Sequence, residues 1–96
     1  MSQDGWQYFL KLCLSAKNEK FLSELLDLFL TPEEHDSIET RCLIIKDLME
    51  HKKTQRKISD DLKVSIAKIT RGSNELKRIS PELIAYLEKY LLHMSE

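Results

Sequence analysis

The chain contains almost nothing from which a sheet could be built. One valine, two glycines and two prolines stand against sixteen leucines, too little β-branched and turn-forming material for hairpins at regular intervals. Both prolines also sit where a helix begins. In Thr31-Pro32-Glu33-Glu34 the threonine hydroxyl can accept from orphan amides, Pro32 is preset for the first turn, and Glu34 can close a capping box. Ser80-Pro81-Glu82 repeats that chemistry. An all-α fold follows. At 96 residues one small domain is expected, and as a monomer it would bury only about 60 to 65% of its unfolded surface, so self-association is a natural supplement.

Apolar spacing divides the chain into about six helices. Trp6, Phe9, Leu10, Cys13 and Leu14 recur at three- and four-residue intervals and predict a helix from about Gln3 to Lys17. After the polar break Lys17-Asn18-Glu19-Lys20, seven of the ten residues from Phe21 to Leu30 are Leu or Phe. Little of that helix can face water, and its excess is more easily buried between two subunits than within one. From Pro32 to about Glu50 the pattern Ile38, Cys42, Ile45, Met49, with Arg41, Ile44 and Leu48 alongside, predicts the longest helix. A terminal helix, 81–93, carries Leu83, Ile84, Leu87 and Leu91 on its apolar face. Between these lies a different grammar. Thr54 can cap a short helix, Gln55 to Leu62, with Ile58 and Leu62 inward. Lys63-Val64-Ser65 allows a three-residue turn, and Ser65 can cap a second helix with Ile66, Ile69, Leu76 and Ile79 inward. Residues 54–79 therefore form a helix-turn-helix candidate.

Charge is distributed to match. The chain as a whole carries −1, yet residues 51–78 hold nine Lys or Arg against Asp60, Asp61 and Glu75, a net +6, and the remainder sums to −7. The basic segment coincides with the helix-turn-helix candidate, as a phosphate-facing surface requires. Cys13 and Cys42 lie in apolar helical patterns without a Cys-x-x-Cys pair and are expected as buried free thiols. His35, His51 and His93 lie far apart, so no metal site is expected. No apolar stretch approaches the roughly 18 residues of a membrane span, and no signal-peptide pattern opens the chain; a cytosolic protein is expected. No carboxylate pair, nucleophile–base pairing or phosphate loop stands at a usable spacing, which argues against an enzyme.

The run Ile66-Ala67-Lys68-Ile69-Thr70-Arg71-Gly72-Ser73-Asn74-Glu75-Leu76-Lys77 closely resembles the recognition helix of the tryptophan repressor family. Leu28-Phe29-Leu30-Thr31-Pro32-Glu33-Glu34, with Arg41 ten residues after Thr31 and Gln55-Arg56 ahead of the turn, resembles that family at the same spacing. The resemblance runs from about Phe21 to Leu92. It implies an intertwined helical homodimer, residues 1–50 serving mainly dimerisation and the pocket scaffold, that represses by binding a palindromic operator when L-tryptophan is bound as corepressor. In such a two-fold dimer the recognition helices enter successive major grooves of double-stranded DNA.

The resemblance also implies roles for single residues. Arg41 and Arg71 match two arginines that sandwich the indole, for which cation–π attraction and stacking suit a guanidinium. Arg71 also pairs with the ligand carboxylate, and Thr31 adds a hydroxyl. The carbonyls of Leu28 and Leu30 accept from the ammonium, Ile45 supplies apolar wall, and Gly72 leaves room for the ring. Glu75 stands where the family usually has a small hydroxyl residue beside the ammonium. On the DNA side Gln55, Arg56, Ile66, Ala67, Thr70 and Lys77 match operator-contacting positions, with Arg56 suited to guanine. Ile66 and Ala67 act through their amides, and Lys68 adds a phosphate contact. Ser59 takes a DNA-facing position where a basic residue is common, and Lys63 and Ser65 stand where glycines are common in the turn. An effector-independent helix-turn-helix regulator and a helical protein-interaction module with a basic face remain open as other readings.

Overall fold

The computed structural model describes residues 4–94. Among the described residues there are six helices and no strand: α1 (Asp4–Ser15), α2 (Glu19–Phe29), α3 (Pro32–Glu50), α4 (Gln55–Leu62), α5 (Ile66–Leu76) and α6 (Pro81–Tyr90). The all-α expectation holds, and no helix is long and apolar enough to cross a membrane. The chain divides into two compact units, Met1–Asp36 and Ser37–Glu96.

In the first unit, local chemistry sets the ends of α2 and the start of α3. Asn18, expected only as part of a polar break, is the N-cap of α2: its backbone is extended and its side-chain oxygen accepts from the Phe21 amide at 2.8 Å. The expected capping box is present, with the Thr31 amide donating to Glu34 Oε1 at 2.9 Å and the Glu34 amide to Thr31 Oγ1 at 3.1 Å. Donation from the Thr31 amide, and then from its hydroxyl, holds the Glu34 carboxyl below its ordinary range. Phe9 meets Phe29 edge-on at 5.3 Å and Trp6 at 5.5 Å. No described residue of α1 or α2 is buried, and Leu14 and Leu28 are 86% and 77% exposed. An aromatic cluster on two short helices is little to set against their ordering entropy.

The second unit has the core. Ile58 on α4 and Ile69 on α5 are fully buried with Ile44 of α3, and Leu48, Leu62 and Val64 pack against them. Each such side chain contributes about 2 kcal/mol through the apolar area it removes from water. The core register on α3 differs from the expected stripe: Ile38 and Cys42 are exposed, and Ile44 and Leu48 face inward. Both stripes satisfy helical spacing, and the side on which α4 and α5 pack selects between them. Cys42 is therefore an exposed thiol and Cys13 a partly buried one, rather than two buried thiols. Ile66, expected inward, is half-exposed: it opens α5 one helical turn before Ile69, the residue of that helix that enters the core.

Between α4 and α5 the turn occupies Lys63 to Ser65 as expected. Lys63 is the C-cap in the left-handed region, φ 57° and ψ 46°, a conformation that favours glycine. The Val64 amide donates to the Ser59 carbonyl at 3.1 Å, the Ser59 hydroxyl donates back to the Val64 carbonyl, and Ser65 caps α5 by accepting from the Lys68 amide. An ion network ties the head to α3: Lys53 Nζ lies 3.0 Å from Asp61 and 3.6 Å from Asp47, and Lys57 Nζ lies 3.1 Å from Asp61. Hydrogen bonds from Lys53 and Lys57 hold Asp61 below its ordinary pKa, and the bond to Asp61 raises that of Lys53.

Two outcomes follow from this geometry. Lys63→Gly relieves the left-handed strain and is expected to stabilise the fold by about 1 kcal/mol in chemical denaturation. Because Asp61 is depressed in the folded state, its contribution is present above the unfolded carboxylate value and is lost as pH falls through the folded value. Thermal unfolding of Asp61→Asn should therefore show a lowered midpoint at neutral pH that converges with the unmutated protein in acid; a constant difference at all pH values contradicts the ion network.

Candidate nucleic-acid interface

The α4–turn–α5 head presents its basic residues outward, but not all of them are available. Lys53 and Lys57 are engaged by Asp47 and Asp61, and Arg78 Nη1 lies 3.2 Å from Glu75 Oε2. Lys52, Arg56, Lys63, Lys68, Arg71 and Lys77 are exposed and have no ion-pair partner among the described residues. These six form the free positive surface of the head, and DNA phosphates are the partner that such a surface attracts.

The expected DNA-facing residues sit around this surface in distinct ways. Arg56 lies in the first turn of α4, fully available. Gln55, the first residue of α4, is partly buried, and its Oε1 accepts from the Thr70 hydroxyl of α5 at 3.1 Å. Ile66 and Ala67 occupy the first two positions of α5, where amides have no intrahelical acceptor and the helix dipole favours an anion. Lys68 and Thr70 follow on that helix, and Lys77 is its C-cap. Ser59 is partly buried, and its single hydroxyl proton is spent on the Val64 carbonyl inside the turn.

The residues expected at an effector site fall in both units. In the first, Leu28 is exposed, Leu30 is the partly buried C-cap of α2, and Thr31 is exposed and engaged in the capping box. In the second, Arg41 and Arg71 are exposed, neither with an ion-pair partner among the described residues. Arg71 and Glu75 stand one turn apart on α5, the spacing at which an Arg–Glu pair ordinarily forms. Glu75 instead pairs with Arg78, leaving Arg71 available. An open groove of about 550 Å³ runs along this face, lined by Ala67, Thr70, Arg71, Asn74, Glu75 and Arg78. Gly72 faces α3: an added Cβ would stand 3.2 Å from Ile44 Cγ2, 3.4 Å from Leu48 Cδ1 and 3.8 Å from Ile45 Cδ1. The missing side chain lets α5 lie close against α3.

Sequence reasoning missed two of these features. The Glu75–Arg78 pair was within reach of helical spacing, since the residues are three apart. The Gln55–Thr70 bond joins residues 15 apart, and no local pattern signals it.

Two capped helices around a left-handed turn, with free cations outward, define a helix-turn-helix DNA-binding protein. The chain matches the model of the Trp repressor protein family over residues 4–91 and belongs to that family, whose members are regulatory DNA-binding proteins and not enzymes. It is 46% identical over 87 residues to the Trp operon repressor homolog of Chlamydia trachomatis serovar D, covering 91% of this chain and 93% of that protein. The homolog of Chlamydia caviae is 41% identical over 91% of this chain and 86% of its own length, and that of Mannheimia succiniciproducens 38% identical over 93% and 88%. The family match takes in α1, beyond the span from Phe21 over which motifs alone carry the resemblance.

Free and engaged cations should separate in binding. Lys77→Ala is expected to weaken all duplexes alike and to reduce the slope of log affinity against log salt by about 1 per chain. Lys53→Ala, whose ammonium is already engaged by Asp47 and Asp61, should leave that slope unchanged.

Proposed function

We propose that the protein represses transcription by binding a two-fold symmetric operator as a homodimer when L-tryptophan is bound as corepressor. The observation that carries this reading is Arg71: a guanidinium on the recognition helix, without an ion-pair partner among the described residues, in a groove beside the carboxylate of Glu75. A cation and an anion held apart on one helix face suit the carboxylate and ammonium of an amino acid. In this reading Arg71 binds the ligand carboxylate and stacks on the indole with Arg41, Glu75 accepts from the ammonium, and Ile45 supplies apolar wall. Gly72 sets how closely the ligand-bearing helix approaches α3.

On the DNA, Arg56 reads guanine, the amides of Ile66 and Ala67 meet phosphate or bridging water, and Lys68 and Lys77 contact phosphates. Because Arg71 belongs to the reading helix itself, a ligand seated on it biases that helix's orientation, which is the coupling that makes operator affinity depend on tryptophan. The apolar surface of α1 and α2 supports dimerisation, since a second copy brings a matching surface and two-fold symmetry pairs two reading heads with a palindrome. The cytosol, where operator DNA and free tryptophan meet, is the compartment this function requires.

The test is a gel shift with a two-fold symmetric duplex at physiological salt. L-tryptophan is expected to raise affinity about tenfold or more, and Arg71→Ala to reduce binding to the level without tryptophan. Equal affinity with and without tryptophan in the unmutated protein favours the effector-independent regulator. Sedimentation equilibrium should return twice the 11.3 kDa chain mass.

A further inference from the structure

We infer that Thr70 acts on DNA through Gln55, as a positioning residue that fixes the Gln55 amide with its NH2 group outward as a hydrogen-bond donor. The inference rests on the DNA-binding reading of this face and goes beyond it, since that reading makes Thr70 a contact in its own right.

The argument is one of proton and lone-pair counting. A threonine hydroxyl has a single proton, and here it is donated to Gln55 Oε1 at 3.1 Å. While that bond stands, Thr70 has no donor left for a phosphate oxygen, which can only accept. The same bond occupies the carbonyl end of the Gln55 amide and leaves both Nε2 hydrogens for other partners. An unrestrained glutamine presents a donor or an acceptor by rotating its terminal amide. Tied at Oε1, Gln55 holds its Nε2 donor in a fixed direction. Its Nε2 group therefore suits a phosphate oxygen or a base acceptor, and an adenine contact has only the second lone pair of Oε1 to draw on.

The surroundings make the arrangement rigid at both ends. Gln55 begins α4 directly after the Thr54 cap, whose hydroxyl accepts from the Lys57 amide. Thr70 follows Ile69, which is fully buried with Ile58 of α4. The bond thus spans the two helices on the outer side of their shared core. It contributes orientation at a solvent-facing site, where an unassisted glutamine side chain would lose rotamer freedom on meeting DNA.

A double-mutant cycle decides between action through Gln55 and direct contact. The probe is a duplex enriched by the unmutated protein from a random-sequence pool, with affinity read by fluorescence anisotropy at saturating L-tryptophan and fixed salt. Thr70→Val keeps shape without the donor and is expected to weaken binding about 3- to 10-fold, the range for one lost hydrogen bond. Thr70→Ser restores affinity to within about twofold, and Thr70→Val costs nothing further in a Gln55→Ala background. Gln55→Glu, which keeps the acceptor for Thr70 but turns an anionic oxygen outward, should weaken binding more than Gln55→Ala. In the free protein, relaxation of the Gln55 side-chain amide should show it ordered in the unmutated and Thr70→Ser forms and mobile in Thr70→Val, at unchanged unfolding midpoint. An equal fold-loss from Thr70→Val in both Gln55 backgrounds, or an amide equally ordered without the hydroxyl, overturns the inference. Failure of the unmutated protein to enrich any duplex is the separate failure of the operator reading and takes this inference with it.

Discussion

Three isoleucines, one each from α3, α4 and α5, meet in a single buried cluster, and the reading head depends on that contact. Ile44, Ile58 and Ile69 are almost wholly withdrawn from water, and truncating a residue of this kind to Ala typically costs 2 to 5 kcal/mol. Their energetic role is ordinary. Their geometric role is larger, because the inner face of α5 sets the direction of its outer face. With Ile69 inside, Thr70 and Arg71 must lie on the side away from α3, and at Gly72 the helix comes close enough that an added Cβ would stand within 4 Å of Ile44, Ile45 and Leu48. The turn residues reinforce the same placement. Val64 joins the core, Ser59 returns a hydrogen bond to it, and Lys63 adopts a left-handed conformation unusual for a residue with a Cβ.

Charge sorting adds a second layer. A chain of net charge −1 would be a poor candidate for nucleic acid if its charges were mixed. Here the basic segment is further divided by pairing: Lys53 bridges Asp47 of α3 and Asp61 of α4, Lys57 pairs with Asp61 within α4, and Arg78 pairs with Glu75. What remains exposed is a smaller set of cations, just before α4, on α4, in the turn and along α5, with no ion-pair partner among the described residues. Some positive charge is thus structural and some is left for DNA. The two kinds are indistinguishable in a count of lysines and arginines.

The helices and their ends were legible to within a few residues because their signals are local. Thr31, Thr54, Ser65 and Ser80 stand where caps were expected, and α4 and the turn at Lys63 coincide with the reading from spacing. Asn18 went unread as a cap, although its residue type belongs to the capping set. The face of α3 is not fixed by spacing, since Ile38 and Cys42 compete with Ile44 and Leu48, and Ile66, expected inward, opens α5 one helical turn before the buried Ile69. At the functional site, Arg41 and Arg71 were identifiable only through the recognition-helix motif. Composition would have assigned them to surface ion pairs, and the structure gives them none among the described residues.

From the residues alone one could know that the chain is helical, where each helix starts, and that a basic helix-turn-helix sits within an acidic, leucine-rich remainder. Capping, proline placement and helical spacing act over three or four residues, so they are written in the order of the amino acids. Packing settled the rest: which stripe of α3 is inside, that Lys53 is spent on carboxylates of two helices, and that Thr70 reaches Gln55 across 15 residues. Each of these depends on how helices lie against one another, and that is set by the shape of the buried surface between them, to which no single local pattern refers.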